Sequence, residues 1–230
     1  TFAHYIECAK QEVDPPFGVT SLAFSPWADE IAVVYAQTWV KIFHLVGSSN
    51  KQWRNQQIMP PSNTPISDFS YSSDVGFAMV CYKNRDVTLY SRTGFNHTYV
   101  IARKLHMQVN GIPMCCASLS SREAVIGCSN GDVCEVNFVQ QSVTRFLGHS
   151  APVTSLVVRG GASVYSTGRD GKVIFWSRSA NAQYWTHWSG QILVECPGLN
   201  IVSACLISSE GLDMPGRGGA AGMPAVMQPP

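Results

Sequence analysis

The 230-residue sequence is poor in charge. Only 13% of its residues are Asp, Glu, Lys or Arg, against about 25% in an average soluble domain. The formal net charge is +1, which gives no long-range attraction to nucleic acid or to an anionic membrane. Hydrophobic residues make up 45% of the chain, enough for a sizeable core. The low charge suggests that another molecule covers part of the surface.

The sequence also lacks a membrane-spanning run, because no apolar stretch approaches the roughly 18 to 20 residues that a bilayer requires. Its eight cysteines contain no CxxC pair, and none has a histidine at zinc-finger spacing. This pattern predicts small buried thiols, no metal site and a reducing compartment. The sequon at Asn96 argues the other way. We expect an intracellular protein of the cytoplasm or nucleus.

Signatures of catalysis are missing as well. The sequence has no G-x-S-x-G elbow, HExxH motif or EF-hand loop. A Cys–His dyad of Cys115 or Cys116 with His106 is the one nucleophilic arrangement to consider, and no family signature accompanies it. We therefore predict no enzymatic activity and no cofactor.

What the sequence does contain is a repeat of short apolar runs separated by turn residues. The expected first strands of successive units begin at Val19, Ile66, Ile112, Val153 and Ile201, with steps of 47, 46, 41 and 48 residues. The expected third strands begin at Val40, Val87, Val133 and Val173, with steps of 47, 46 and 40. Two sets of strands in phase indicate a repeated unit with three clear strands and a more variable fourth, which is typical of a propeller blade.

The expected fourth strands are less regular. They cover residues 97–105, 143–147 and 191–197. In the first unit, residues 46–65 form either a long fourth strand with loops or a surface insertion.

The fourth unit carries a motif made of Gly148-His149, Ser166, Asp170 and Trp176. These residues resemble the WD-repeat β-propeller family, in which a His, a Ser or Thr, a turn Asp and a Trp form a hydrogen-bonded network within a blade. The resemblance implies that His149, Ser166, Asp170 and Trp176 form this structural tetrad. Elsewhere the motif is degenerate: the Trp place holds Phe43, Tyr90 and Val136, and Asp86 and Asp132 lie in the corresponding turns.

Within this unit, the stretch STGRDGKVIFW (166–176) raises the question of a phosphate-binding loop. Such a loop needs G-x-x-x-x-G-K-[ST] between a strand and a helix. Here Ser166 takes the first glycine's place, Val173 follows the lysine, and a strand follows the loop. Asp170-Gly171 instead favours a tight hairpin turn.

We predict an all-β protein, a β-propeller of four-stranded blades with four to five blades visible over residues 1–209. Family blades generally close in sevens, and three explanations for the missing blades remain open. The sequence is part of a longer propeller, a partner chain supplies blades, or poorly matching strands such as residues 1–9 complete more of the ring. Residues 210–230 are rich in Gly, Ala, Met and Pro, which predicts a flexible tail or linker.

The resemblance implies a non-catalytic scaffold that binds other proteins within a multi-subunit assembly. Tryptophans at loop positions are candidates for partner binding, because they bury a large area with few rotamers. They are Trp27, Trp39, Trp185 and Trp188. The alternative is an RNA-associated propeller that uses the loop containing Lys51, Trp53 and Arg54. Steep loss of binding with added salt would favour RNA.

Overall fold

A computed structural model shows an all-β fold, as predicted: four four-stranded antiparallel sheets arranged as the blades of a β-propeller. The structure describes residues 18–26, 29–35, 38–46, 52–59, 63–74, 76–93, 98–159, 162–178 and 188–204. In this part of the chain no helix has the length and apolarity to cross a membrane.

Each blade is a simple meander in which consecutive strands are neighbours. Blade 1 consists of β1 (Val19–Phe24), β2 (Glu30–Tyr35), β3 (Trp39–Val46) and β4 (Gln52–Met59). Blade 2 consists of β5 (Ile66–Tyr71), β6 (Phe77–Tyr82), β7 (Asp86–Thr93) and β8 (Thr98–His106). Blade 3 consists of β9 (Pro113–Ser118), β10 (Glu123–Cys128), β11 (Asp132–Asn137) and β12 (Ser142–Leu147). Blade 4 consists of β13 (Val153–Arg159), β14 (Ser163–Gly168), β15 (Lys172–Arg178) and β16 (Trp188–Glu195).

The first three strands of each blade follow the alternation of apolar residues closely. The fourth strands differ more from expectation. The open question about residues 46–65 is answered by β4, which is a full fourth strand. The last strand begins at Trp188, three residues before the predicted start at 191, because Trp188 pairs with Arg178 on β15.

The first strands of successive blades are joined by polar contacts at the centre of the molecule. Asp68 on β5 accepts hydrogen bonds from the Ser21 hydroxyl of blade 1 (2.8 Å) and from the Cys116 backbone N–H of blade 3 (2.9 Å). Its carboxylate therefore connects three blades. Burial raises the pKa of Asp68, and these hydrogen bonds oppose that effect.

Between the blades, one apolar layer fills each interface. The layer between blades 1 and 2 includes Ile42 and Phe69, and the next includes Met79 and Ile126. The layer between blades 3 and 4 includes Trp176 and Trp188. The sheets of blades 2 and 3 are thus covered on both faces by neighbouring blades, which explains why both faces of their middle strands are apolar.

The sequence predicts that a fifth unit begins at residue 201. Residues 201–204 form no strand, yet they lie along β13: the Thr154 hydroxyl donates to the Ile201 carbonyl (2.6 Å), and Ser155 donates to the Ala204 carbonyl (3.5 Å). The paired residues are separated by 47 and 49 positions in the sequence, close to the repeat length of one blade. Residues 1–9, one of the three explanations left open for the missing blades, and the predicted tail at 210–230 lie outside the described residues.

Candidate functional site

The four residues of the predicted tetrad meet in blade 4. His149 precedes β13, Ser166 lies on β14, Asp170 lies in the β14–β15 turn, and Trp176 lies on β15. The Trp176 indole N–H donates to Ser166 Oγ (2.8 Å), and His149 Nε2 lies 2.7 Å from the same oxygen. His149 Nδ1 lies 2.9 Å from Asp170 Oδ1. The four side chains thus form one continuous hydrogen-bonded chain.

The direction of this chain follows from what each group can do. A carboxylate only accepts, so His149 Nδ1 carries a proton toward Asp170, and His149 Nε2 shares its hydrogen bond with the Ser166 hydroxyl. Burial alone would raise the pKa of Asp170. Hydrogen bonds from His149 and from the Ser150 backbone N–H outweigh this and hold that pKa below its ordinary value. Every polar group is satisfied, which is the arrangement of a structural network.

The sequence STGRDGKVIFW forms the predicted hairpin. The Gly171 N–H donates to the Gly168 carbonyl (3.2 Å), and Gly171 has a φ of 75°. That left-handed conformation favours glycine. A Cβ at this position would also overlap the Cys196 carbonyl oxygen. The glycine serves a turn.

An ion pair that sequence reasoning did not anticipate joins blades 1 and 2. Glu30, the first residue of β2, is fully buried. Its carboxylate lies 3.2 Å from Arg92 Nη1 of blade 2 and accepts a hydrogen bond from the Tyr99 hydroxyl (2.8 Å). Burial raises the pKa of Glu30, against the effects of Tyr99 and Arg92.

A second such pair joins blades 3 and 4. The Arg178 guanidinium donates to both carboxylate oxygens of Glu123 (2.8 and 3.0 Å) and lies 3.0 Å from the buried Glu135. The Trp188 indole N–H donates to Glu135 as well (3.0 Å). Hydrogen bonds from Arg178 hold the pKa of Glu123 below its ordinary value.

These two pairs occupy equivalent places. The second strands of the four blades begin with Glu30, Phe77, Glu123 and Ser163. In each blade, one residue near the end of the third strand donates its N–H to the carbonyl that precedes the second strand. These residues are Leu45, Arg92, Phe138 and Arg178. The ion pairs therefore alternate with an apolar junction between blades 2 and 3, where Phe77 and Phe138 belong to one core. The sequence feature that could have indicated these ion pairs is a glutamate at the first position of two of the four second strands, in a chain with few charged residues.

The predicted partner-binding tryptophans differ in their exposure to solvent. Trp39 opens β3 and is exposed. Trp188 is buried between blades, where its ring packs against Phe146 (5.7 Å between centroids) and presents little surface to a partner. Trp27 and Trp185 lie outside the described residues. Of the predicted basic loop, Arg54 is exposed on β4; Lys51 and the Trp53 side chain are outside the description.

The residues of the considered Cys–His dyad have separate partners. Cys115 and Cys116 are buried, and burial raises the pKa of the Cys115 thiol. A hydrogen bond with Cys81 and burial raise that of Cys116. His106 is at the end of β8, with Nδ1 2.8 Å from Asp86 Oδ1. A raised pKa disfavours the nucleophilic thiolate. Among the described residues, no group of three or more His, Cys, Asp or Glu is placed to hold a metal ion.

A groove of about 480 Å³ opens between the outer strands of blades 3 and 4. Its lining includes Phe146, Trp176 and Trp188, with Leu147 on the β12 wall and Ile192 on the β16 wall. A Cβ at Gly148 or Gly190 would come within 2.7 Å of the Trp176 ring. The two glycines therefore allow the backbone to approach the six-membered ring of that indole closely.

No protein-family model matches the sequence, and the search of curated proteins gives no match. The propeller architecture thus rests on the structure, and the tetrad of blade 4 carries the likeness to WD repeats.

Proposed function

We propose that the chain is a non-catalytic, WD-repeat-like scaffold that binds other proteins as a subunit of a larger assembly. The observation that supports this proposal is an uncovered inner strand in blade 1. Val19 is 54% exposed, whereas Ile66, at the same place in blade 2, is 4% exposed. Leu22 is 50% exposed and its counterpart Phe69 is 3% exposed.

The equivalence of these residues is set by strand pairing. Leu22 pairs with Val33 on β2, and Phe69 pairs with Val80 on β6. In blade 2 this place is covered by blade 1, through the apolar layer that contains Phe69. Further out on the same face of blade 1, Ile31 and Val33 are buried. Among the described residues of this face, β1 and Trp39 at the start of β3 are exposed.

Contiguous exposed apolar surface at a position that is covered elsewhere in the same molecule is characteristic of an interface. Covering such a surface contributes about 25 cal/mol per Å² of apolar area. The low charge of the chain agrees with a surface that is partly covered in the assembled state.

The test is recovery of the tagged chain from the cells that express it, with cross-linking and mass spectrometry at moderate and high salt. Replacing Val19 and Leu22 by Ser should remove most cross-linked partners and lower the apparent mass of the complex. The matched control replaces Ile101 and Val139, which are 63 and 60% exposed, by Ser and should leave both the partners and the apparent mass unchanged. Partners that survive the β1 changes would contradict the proposal, and loss of binding with added salt alone would favour the RNA alternative.

A further inference from the structure

A polar cleft of about 540 Å³ lies between blades 2 and 3, within the range of about 300–1,000 Å³ that is usual for ligand sites. Its lining includes Gln108, Val109 and Asn110 on one side and Gln141, Val143 and Arg145 on the other. We infer that this cleft binds an extended segment of a partner protein and holds an acidic side chain of that segment at Arg145. The inference rests on the proposed scaffold function and names a second site for it.

Strand pairing turns Arg145 and Val143 of β12 toward blade 2. Arg145 lies opposite Cys134 and Val143 lies opposite Val136, and residues directly opposite each other in an antiparallel pair share a face. Cys134 and Val136 belong to the apolar core between blades 2 and 3. β12 therefore forms one wall of the cleft, and Val143 packs against that core at its base.

The opposite wall is the connection between β8 and β9, which is held at both ends. Met107 is fully buried and its N–H donates to the Arg85 carbonyl (2.9 Å). The Ile112 N–H donates to Ser129 Oγ (3.0 Å). The residues that line the cleft lie between these two anchors. Both walls are thus fixed before a ligand binds, which lowers the entropy cost of binding.

Gln141 has an unusual backbone conformation at the edge of the cleft. It lies in the turn between β11 and β12 and has a φ of 53°, a left-handed conformation that favours glycine. Residues held in such conformations concentrate at binding sites, where the side chain has a role that offsets the strain. A glutamine at this place, with its side chain at the cleft, points to a ligand that uses the carboxamide.

The charges around the cleft leave one cationic group for an anion. Asp132 is buried and lies 3.0 Å from Arg145 Nε. Among the described residues it is the only ionic partner of that guanidinium, so the two terminal amino groups can bind a ligand. Asp86, on the blade 2 side, is engaged by Lys104 (2.9 Å) and His106 (2.8 Å). A single carboxylate matches this arrangement, because Arg binds carboxylates through two parallel N–H groups.

The other polar groups of the cleft match a peptide backbone. Gln108, Asn110 and Gln141 each carry a carboxamide, which offers both N–H donors and a carbonyl acceptor. An extended peptide presents the complementary groups at regular intervals. Val109 and Val143 add apolar contact, as is usual in a ligand site with a few convergent polar groups. The partner segment is therefore extended and polar, and it carries Asp or Glu.

The experiment screens a bead library of N-acetylated, C-amidated hexapeptides with the fluorescently labelled intact chain. Selected sequences should contain Asp or Glu. Replacing that residue by its amide in the best peptide should lower the affinity at least about tenfold, because the charge that Arg145 binds is removed. Fluorescence polarisation measures the affinities.

Arg145→Lys tests the guanidinium without leaving Asp132 unpaired. Asp86 opens β7 as Asp132 opens β11, and in blade 2 Lys104 takes the place of Arg145 and pairs with the aspartate. The variant should fold like the parent by circular dichroism. It should lose at least about fivefold in affinity, because an ammonium group lacks the planar pair of donors. Arg159→Gln, at the exposed end of β13, is the control and should leave the affinity unchanged.

Gln141→Gly separates binding from stability. Glycine adopts a φ of 53° without a steric penalty, so the variant should not lower the midpoint of urea denaturation. It should nevertheless weaken peptide binding at least about threefold, because a hydrogen-bonding group is lost. Gln140→Gly, in the same turn, is the matched control and should leave the affinity unchanged.

The inference is overturned if the selected peptides carry no acidic residue, or if Arg145→Lys and Gln141→Gly bind them as the parent does. Displacement of the peptide by an equal concentration of free glutarate would overturn it as well, since the site would then serve a small acid. Tighter binding of a phosphoserine peptide than of its glutamate counterpart would contradict the choice of a carboxylate. Partners recovered from cells that depend on β1 but survive both cleft variants would leave the scaffold function standing and remove this site.

Discussion

Ser166 is the residue on which the network of blade 4 depends. Its hydroxyl oxygen accepts the Trp176 N–H, and the hydroxyl also forms a hydrogen bond with His149 Nε2. The side chain is fully buried, so neither partner has water as a substitute when the hydroxyl is removed. A buried polar group without its partner costs about 1–3 kcal/mol.

Ser166→Ala should therefore lower the free energy of unfolding by about 2–4 kcal/mol, since two groups lose their partner. Urea denaturation followed by tryptophan fluorescence measures the change. Ser177→Ala is the control, because Ser177 shares an exposed hydrogen bond with Ser189, and it should cost less than about 0.5 kcal/mol. Equal effects of the two substitutions would show that the network contributes nothing beyond an ordinary surface contact.

At the scale of the strand, the alternating junctions distinguish one blade interface from the next. If blade 3 followed blade 1 directly, the buried Glu30 would face Phe138 instead of Arg92. A buried carboxylate without its partner costs about 3–5 kcal/mol. The ion pairs thus oppose incorrect blade neighbours, whatever they contribute to the correct ones.

The two equivalent glutamates should respond to pH with opposite signs. Both have an ordinary pKa of 4.5. The pKa of Glu123 is lowered in the fold, so its stabilising contribution is present above pH 4.5 and is lost as the pH falls through the folded value. The pKa of Glu30 is raised, so its contribution is present below pH 4.5 and is lost as the pH rises through the folded value.

The measurement is the free energy of unfolding of the parent chain and of Glu123→Gln and Glu30→Gln across the acidic range. The difference between parent and Glu123→Gln should grow with rising pH. The difference between parent and Glu30→Gln should shrink. If both stability differences changed with pH in the same direction, the pKa values of Glu30 and Glu123 would not be shifted in opposite directions by the fold.

The sequence predicted strands better than it predicted contacts between blades. β-strand periodicity is local, so Val19, Ile66 and Val153 marked the first strands correctly. The tetrad was accessible because its residues lie within one unit. Glu30 and Arg92 belong to different units 62 residues apart, and only the packing of one blade on another brings them together. The same holds for Trp188, whose burial depends on Glu135 and Phe146 of the preceding blade.

For the whole molecule, burial of the first strands differs between the interior blades and blade 1. In β9 five of six residues are buried, whereas no residue of β1 is buried. β13 is intermediate, and residues 201–204 lie beside it. Strands with little buried contact open at low free energy. Local stability against opening should therefore be lower at β1 than at β9.

Hydrogen exchange with mass spectrometry tests this gradient. Amides of β1 should exchange at least about tenfold faster than those of β9, which corresponds to about 1.4 kcal/mol in opening free energy, with β13 between them. Addition of the partner recovered from cells should slow β1, because it covers Val19 and Leu22. Uniform exchange across the first strands would remove the physical basis for an uncovered inner strand, and a partner that leaves exchange at β1 unchanged would contradict the proposed interface.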